Sequence, residues 1–248
     1  MAGIVLAAGA GTRLAPLSRL RPKALCPVAS RPLVDHALDR LRPFTPDLAV
    51  NVHHGRPLLE AHFGGRVHLS VEEPLALGTA GALGQLRNWV DGRPTLLTNA
   101  DAWLPADLGA LLEGWDGERV RLLTVVDAAR GDFGPDRYCG AALLPWAAVR
   151  GLLPVPSGLY ELCWAPRWAA GTLDLVRHPG PFVDCGTPAD YLAANLAASG
   201  GTAVIGPGAV VAEGAVVERS VVWPGSVVAA GEHLVDAVRA EHLTVLVR

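Results

Sequence analysis

An apolar segment, Ile4–Ala7, runs straight into a glycine-rich loop that begins at Gly9, and no other feature narrows the folds open to this chain as far. Glycines that follow a strand let backbone N–H groups approach a phosphate closely and form an anion-binding concavity. The run reads Leu6-Ala7-Ala8-Gly9-Ala10-Gly11-Thr12-Arg13-Leu14, then Pro16-Leu17, then Pro22-Lys23-Ala24-Leu25-Cys26-Pro27-Val28. Arg13 adds a planar charged fork and Lys23 a point charge. A dinucleotide-binding fingerprint, G-x-G-x-x-G, does not fit. Its third glycine position holds Leu14, and a proline-rich stretch follows where a helix should start.

Downstream, short apolar runs alternate with helix-like segments. Leu48–Val52, Val67–Val71, Leu96–Thr98 and Val120–Val126 read as strands, and Leu33–Leu41, Thr79–Trp89 and Pro105–Trp115 as helices. Such alternation predicts an α/β fold, a Rossmann-like, mostly parallel sheet with flanking helices. In sheets of this kind ligands bind at the carboxyl ends of the strands, where Gly9–Arg13, Glu73–Gly81 and Asn99–Asp101 fall.

After Gly200-Gly201 the pattern changes to sixes, opened by Ile205, Val211, Val217 and Trp223, with a small residue near the end of most hexads. A hexapeptide period is the mark of a parallel β-helix, in which each short strand buries its face only by stacking on a neighbour. The repeat fades after Ala229, leaving about two coils, and Trp223 is expected to pack within them. The expected organisation is a catalytic domain over 1–200 and a short C-terminal left-handed parallel β-helix over 203–248. The tail should mediate homodimer contacts or brace the catalytic domain.

Composition removes several classes. The chain has 21 basic side chains, of which one, Lys23, is a lysine. A Walker A loop needs Gly-Lys-Ser/Thr, but Pro22 precedes the lysine, and a Ser-x-x-Lys hydrolase motif fails at Leu20. The net charge of −3 argues against a nucleic-acid partner, which calls for a basic excess. Four scattered cysteines, Cys26, Cys139, Cys163 and Cys185, show no metal spacing and read as reduced thiols. The apolar N-terminal stretch lacks a basic flank and is too short to span a bilayer. These points lead us to expect a cytoplasmic protein with no membrane partner.

The run from Leu6 to Val28 closely resembles the signature of the sugar-nucleotide pyrophosphorylases, the nucleotidyltransferases that make NDP-sugars from NTPs and sugar 1-phosphates. Three further stretches match in order. Glu73-Pro74-Leu75-Ala76-Leu77-Gly78-Thr79-Ala80-Gly81 is similar to the family's nucleobase-recognition segment, Asn99-Ala100-Asp101 to its first metal aspartate, and Asp184-Cys185-Gly186-Thr187-Pro188 to its Asp-x-Gly-Thr-Pro motif. The resemblance implies nucleotide contacts from Leu6, Ala7, Ala8, Gly9, Gly11, Thr12, Arg13, Lys23, Glu73, Gly78, Thr79, Ala80 and Asn99. It implies Mg²⁺ at Asp101 and Asp184, and catalytic roles for Arg13, Lys23 and Asp101. From the residues alone, Asp184 could instead start a helix that Thr187 caps, and Asp101 could be a turn residue at a strand end.

The family's Glu-Lys-Pro, whose lysine meets the sugar phosphate, is absent. Its place is taken by Arg130-Gly131-Asp132-Phe133-Gly134-Pro135-Asp136-Arg137, which resembles the Gly-Asp-Phe segment of the muramate-type enzymes. Arg130, Arg137 and Arg177 become candidates for that contact, and Glu161 for a sugar hydroxyl. The resemblance implies a nucleotidyltransferase acting on an NTP and a sugar 1-phosphate. GTP with mannose 1-phosphate, or a related sugar or cyclitol phosphate, comes first. UTP with N-acetylmuramate 1-phosphate is the alternative, and a catalytically silent regulatory subunit a third reading.

Overall fold

The structure, a computed structural model, describes residues 1–247 and divides into two compact units. Of the described residues, the first comprises 1–9, 36–100 and 104–182, and the second 10–35, 101–103 and 183–247.

The first unit is built on a seven-stranded sheet. Its strands are β1 (Ala2–Leu6), β2 (Leu48–Val52), β3 (His68–Val71), β4 (Thr95–Asn99), β5 (Val120–Val126), β6 (Asp136–Leu144) and β7 (Leu173–Arg177), in the spatial order β7-β5-β6-β4-β1-β2-β3. Pairings are parallel except for the two made by β6. That strand, which the sequence pattern did not announce, is antiparallel for a simple reason. The 127–135 connection is too short for a crossover helix, so the chain must turn back beside β5. A Rossmann-like mixed α/β sheet is therefore present as expected, with one inverted strand inside it.

From β1 the chain moves outward to β2 and β3 and then returns to the other side of β1 as β4. The strand order thus reverses between β1 and β4, the place where open α/β sheets form a ligand crevice. Helices α1 (Leu33–Leu41), α2 (Arg56–Phe63) and α3 (Gly78–Val90) supply the connections. The expected helix over 105–115 shrinks to one turn, Gly109–Leu112. The core of this unit joins Ile4, Leu83, Leu97, Leu122 and Ala142 from sheet and helix with Trp164 and Leu159 from the later segment.

The second unit contains the Ala10–Asp35 segment, a two-residue antiparallel ribbon of Ala102–Trp103 with Val183–Asp184, helix α4 (Pro188–Ala198) and the C-terminal strands. Those strands are β8 (Val204–Ile205), β9 (Val210–Val211), β10 (Val216–Glu218), β11 (Val221–Val222), β12 (Val227–Val228), β13 (His233–Val235), β14 (Ala237–Ala240) and β15 (Leu243–Leu246). They stack in parallel, β8 on β11, β9 on β12, β10 on β13 and β11 on β14, and β15 closes the end antiparallel to β14.

Each rung lies 17 residues after the one it covers, as in Val204 beside Val221 and Val210 beside Val227. Three full hexads would give 18. One corner is a residue shorter: left-handed backbone occurs at Gly208, Gly214 and Arg219 and again at Gly225, Gly231 and Asp236. Arg219 and Asp236, at equivalent corners of successive rungs, form an ion pair at 2.8 Å. Stacking also continues past Ala229, where the sequence repeat fades, as far as Ala240.

Val222, Val228, Leu234 and Ala237 fill the coil. Trp223 does not. It is fully buried, but among Leu14, Leu17, Cys26 and Tyr191, outside the coil interior. Among the described residues no helix is long and apolar enough to cross a membrane.

Candidate active site

In the second unit the two aspartates singled out by sequence are brought side by side by the short ribbon, in which Asp184 pairs with Ala102 and the Cys185 N–H donates to the Asp101 carbonyl at 3.1 Å. Lys23 lies between their side chains. Its Nζ donates to Asp101 Oδ2 at 3.2 Å and to Asp184 Oδ1 at 3.3 Å, and its side chain is only 8% exposed while that of Asp101 is 51% exposed. Arg13, largely in solvent, approaches Asp184 Oδ2 at 3.8 Å.

Local sequence explains this geometry. Lys23 opens a 3₁₀ turn, Lys23–Leu25, closed by Leu25 N–H to the Pro22 carbonyl at 2.8 Å and Cys26 N–H to the Lys23 carbonyl at 3.0 Å. Gly11 sits in left-handed backbone at φ +59°, and a Cβ there would stand 2.8 Å from Lys23 Cβ. Only glycine lets the loop lie against the lysine stem. At Gly186 a Cβ would meet the Arg13 guanidinium at 3.2 Å, so that glycine gives Arg13 its bed. Thr187 and Asp190 form a capping box on α4, with Pro188 in the first turn. The helix start is therefore served without Asp184, whose carboxylate faces Lys23 and Arg13 instead.

Among the described residues no cluster of three or more His, Cys, Asp or Glu gathers as a metal cage. Two carboxylates converging on one cationic centre are nevertheless a donor set that suits Mg²⁺, which takes one or two carboxylates and completes its shell with water and phosphate oxygens. Burial pushes the thiols of Cys26 and Cys185 up to about 12, against the pull of Lys23 on each, so neither is a nucleophile at neutral pH.

In the first unit, Leu6 ends β1 and its carbonyl accepts the Ala100 N–H at 3.0 Å. Ala7 and Ala8 are buried, whereas Gly9 is exposed with nothing within 4 Å of where its Cβ would be. Asn99, at the end of β4, is held by Arg40. That buried guanidinium donates to Thr98 Oγ1 and to the carbonyls of Asn99 and Leu104. His54 Nδ1 meets the Ala8 carbonyl at 3.0 Å and His53 Nδ1 the Glu72 carbonyl at 2.8 Å, so each histidine ties down backbone.

Two residues absent from the sequence-based candidates organise this end of the sheet. Asn51 Oδ1 accepts the Ala7 N–H at 2.7 Å, and Asn51 Nδ2 donates to Glu72 Oε1 at 2.7 Å. Glu72, fully buried, accepts the Leu77 N–H at 2.7 Å on its other oxygen. The glycine loop and the start of α3 are thus joined by one carboxylate and one amide. No sequence spacing marks the pair, whose members lie 21 residues apart. Glu73, the neighbour that was singled out, is exposed and pairs with Arg56.

Gly78, Gly81 and Gly84 line one face of α3 against the 153–157 backbone, where added Cβ atoms would meet Ser157 O at 2.6 Å, Val155 O at 2.2 Å and Leu153 C at 2.3 Å. Ala80 N–H donates to the Ser157 carbonyl at 3.0 Å, and Thr79 Oγ1 accepts the Leu159 N–H at 2.8 Å. This face of the glycine pattern is spent on packing a loop.

The three arginine candidates for the sugar phosphate all have intramolecular partners. Arg177 grips the buried Asp136 with two bonds, at 2.7 and 2.8 Å, and that guanidinium holds the Asp136 carboxyl below the usual aspartate value. Arg137 pairs with Asp127 at 3.4 Å and lies 5.1 Å over the Phe182 ring. Arg130 pairs with the same Asp127 at 3.2 Å. Glu161 is exposed, in a π-helical turn over Tyr160–Trp164, and folds back over Gly158.

Residues 3–205 match the MobA-like NTP transferase domain. The chain belongs to that family. It is similar to an N-acetylmuramate alpha-1-phosphate uridylyltransferase of Caulobacter vibrioides, 35% identical over 144 residues, which are 53% of this chain and 60% of that protein. It is also similar to a bifunctional protein GlmU of Cupriavidus metallidurans, 35% identical over 126 residues, 49% of this chain and 27% of that protein. The chain thus spans less than two thirds of these relatives. Its fold resembles a mannose-1-phosphate geranyltransferase from Thermus thermophilus at a TM-score of 0.74 and 20% identity, covering 99% of this chain and 94% of that one. A UDP-glucose pyrophosphorylase from Acinetobacter baumannii gives a TM-score of 0.63 at 16% identity, covering 79% and 92%. The family expected from the motifs is the family matched.

Proposed function

We propose that this protein is a sugar-1-phosphate nucleotidyltransferase that converts an NTP and a sugar 1-phosphate to an NDP-sugar and pyrophosphate. The observation that carries the reading is the buried Lys23 ammonium held between Asp101 and Asp184 with Arg13 beside them. In the reaction a phosphate oxygen of the sugar 1-phosphate forms a bond to the α-phosphorus, and the bond from that phosphorus to the pyrophosphate oxygen breaks in line. Such a transfer needs positioning and charge neutralisation more than covalent catalysis. Arg13 and Lys23 bind the NTP phosphates and take up charge as pyrophosphate leaves. Leu6, Ala7, Ala8, Gly9, Gly11 and Thr12 are carried forward as backbone contacts of the nucleotide, on their match to the family's glycine-loop signature. Glu73, Gly78, Thr79, Ala80 and Asn99 are carried forward as nucleoside contacts on the same resemblance. Asp101 and Asp184 would hold Mg²⁺, which when bound neutralises phosphate oxygens.

UTP with N-acetylmuramate 1-phosphate is the substrate pair we favour. The similarity to the uridylyltransferase and the Gly-Asp-Phe segment in place of Glu-Lys-Pro support it. The first expectation from the motifs, GTP with mannose 1-phosphate, is the pair against which it is tested. For the sugar phosphate, Arg137 is the candidate we carry forward, since Arg177 is committed to Asp136 by both arms of its fork. We also propose that the stacked tail is a left-handed β-helix over 203–248, attached to a catalytic domain over 1–200. The four buried thiols suit the cytoplasm. The test is pyrophosphate release from each NTP against a panel of sugar 1-phosphates. Turnover of UTP with N-acetylmuramate 1-phosphate is expected. Turnover confined to GTP with mannose 1-phosphate would reverse the order, and no release from any pair would leave a silent nucleotide-binding subunit.

A further inference from the structure

Trp223 opens a rung of the tail yet turns away from the coil interior. Its Nε1–H donates to Tyr191 Oη at 2.9 Å, and Tyr191 Oη donates to the Pro27 carbonyl. On its other side the Arg21 guanidinium lies 4.4 Å over the Trp223 ring and pairs with Glu241 of the tail at 3.2 Å. Arg21 and Pro27 are the two residues that flank the Pro22–Cys26 segment, and that segment carries Lys23. Both Trp223 and Tyr191 are fully buried, so neither contact is a loose surface encounter. A cation stacked on a desolvated indole and a hydroxyl locked between a donor and an acceptor are both directional. Together they fix the ends of the turn.

We propose that Trp223 and Tyr191 are positioning residues for Lys23, and that the tail sets the lysine's place between Asp101 and Asp184. The inference rests on the reading of Lys23 as the phosphate-binding lysine. The single lysine makes it testable without substrate, because selective ¹⁵N-lysine labelling places one backbone amide signal in the whole protein.

Tyr191→Phe keeps the ring and removes only the oxygen that joins Trp223 to Pro27. Val228→Ala, in the coil interior, serves as a control that loosens the tail without touching the relay. We expect Tyr191→Phe to shift or broaden the Lys23 amide signal and to speed amine-reagent modification of Lys23, read by peptide mapping. The same variant should lower kcat by about tenfold, since small misplacements at a reacting centre are costly, and leave the KM for sugar 1-phosphate unchanged. Val228→Ala should lower the melting temperature and leave the Lys23 signal, its labelling rate and kcat at wild-type values. Trp223→Phe, which loses the indole N–H, should reproduce the effects of Tyr191→Phe. An unmoved Lys23 signal and labelling rate in Tyr191→Phe would overturn the proposal, as would equal changes in Val228→Ala. Failure of the wild-type protein to release pyrophosphate would instead refute the transferase reading, with the signal and labelling arms still deciding whether the tail positions the lysine.

Discussion

Replacing Glu72 by glutamine changes one atom's hydrogen-bonding sense at a site where both oxygens are in use. The carboxylate accepts from Asn51 Nδ2 and from the Leu77 N–H, each at 2.7 Å. The new amide must aim its NH₂ at one of those two donors whichever way it turns. Asn51 cannot relieve the conflict by flipping, because its Oδ1 is held by the Ala7 N–H at 2.7 Å. One buried donor is left without a partner, at a cost of about 1–3 kcal/mol. In a protein of 248 residues, each kcal/mol moves the melting temperature by about 2–4 °C. The expected fall is therefore about 2–12 °C, read by differential scanning calorimetry and by urea titration. The KM for NTP should rise, since Leu77 leads into Gly78–Ala80, while that for sugar phosphate stays put. A cycle of Asn51→Ala, Glu72→Ala and the double variant should show coupling of about 0.5–3 kcal/mol. A Glu72→Gln protein that melts with the wild type, or a cycle that is additive, would refute the relay.

Lys23→Met should lower kcat by about 10²-fold or more with the far-ultraviolet circular dichroism spectrum unchanged; a smaller loss in pyrophosphate release would remove Lys23 from the chemistry. Gly84→Ala forces a methyl to 2.3 Å from the Leu153 backbone and should destabilise by about 1–3 kcal/mol, whereas Gly9→Ala, with open space around it, should keep its stability and lose NTP affinity. Arg137→Ala should raise the KM for sugar phosphate alone, and an equal rise for NTP would reject that assignment. Because Arg177 holds the Asp136 carboxyl below its ordinary value, the pair contributes stability above the unfolded aspartate value of about 3.9. The melting-temperature gap between wild type and Arg177→Gln should be full at pH 7 and shrink as pH falls through the depressed value; a gap that grows toward acid would contradict the pairing.

Strands β1 to β5 and the helices α1 and α3 were legible because their apolar residues recur over a long stretch, as in Val120–Val126 and Leu33–Leu41, whereas β7 and α2, shorter on apolar pattern, were not. The inverted strand Asp136–Leu144 was not, since its direction follows from the length of the preceding connection and its residues had been read for chemistry. The tail showed its period but not its count, because a corner at Arg219 needs one residue fewer and valines look alike on either reading. Trp223 illustrates the limit: a hexad position says a residue stacks, while the partner that decides its orientation, Tyr191, lies in a helix outside the repeat. At the candidate site the motif residues Arg13, Lys23, Asp101 and Asp184 assemble within one unit. Asn51 and Glu72 went unseen because a buried amide–carboxylate relay has no spacing of its own. It is made by a residue of β2 and the residue that follows β3, which are adjacent only through the sheet.

Donor geometry accounts for where the one lysine stands among twenty arginines. A guanidinium spreads its N–H groups over a plane and suits acceptors that are also spread, as when Arg177 takes both oxygens of Asp136 or Arg219 both oxygens of Asp236. Arg40 uses the same spread to reach a hydroxyl and two carbonyls at once. An ammonium radiates its donors from a single atom. Asp101 and Asp184 can therefore converge on Lys23 Nζ from two directions at 3.2 and 3.3 Å. A guanidinium in that place would hold the carboxylates apart, and Gly11, packed against the lysine stem, leaves no room to shift it. The choice of lysine at position 23 is thus a statement about the spacing of two carboxylates, and the charge alone would not have required it.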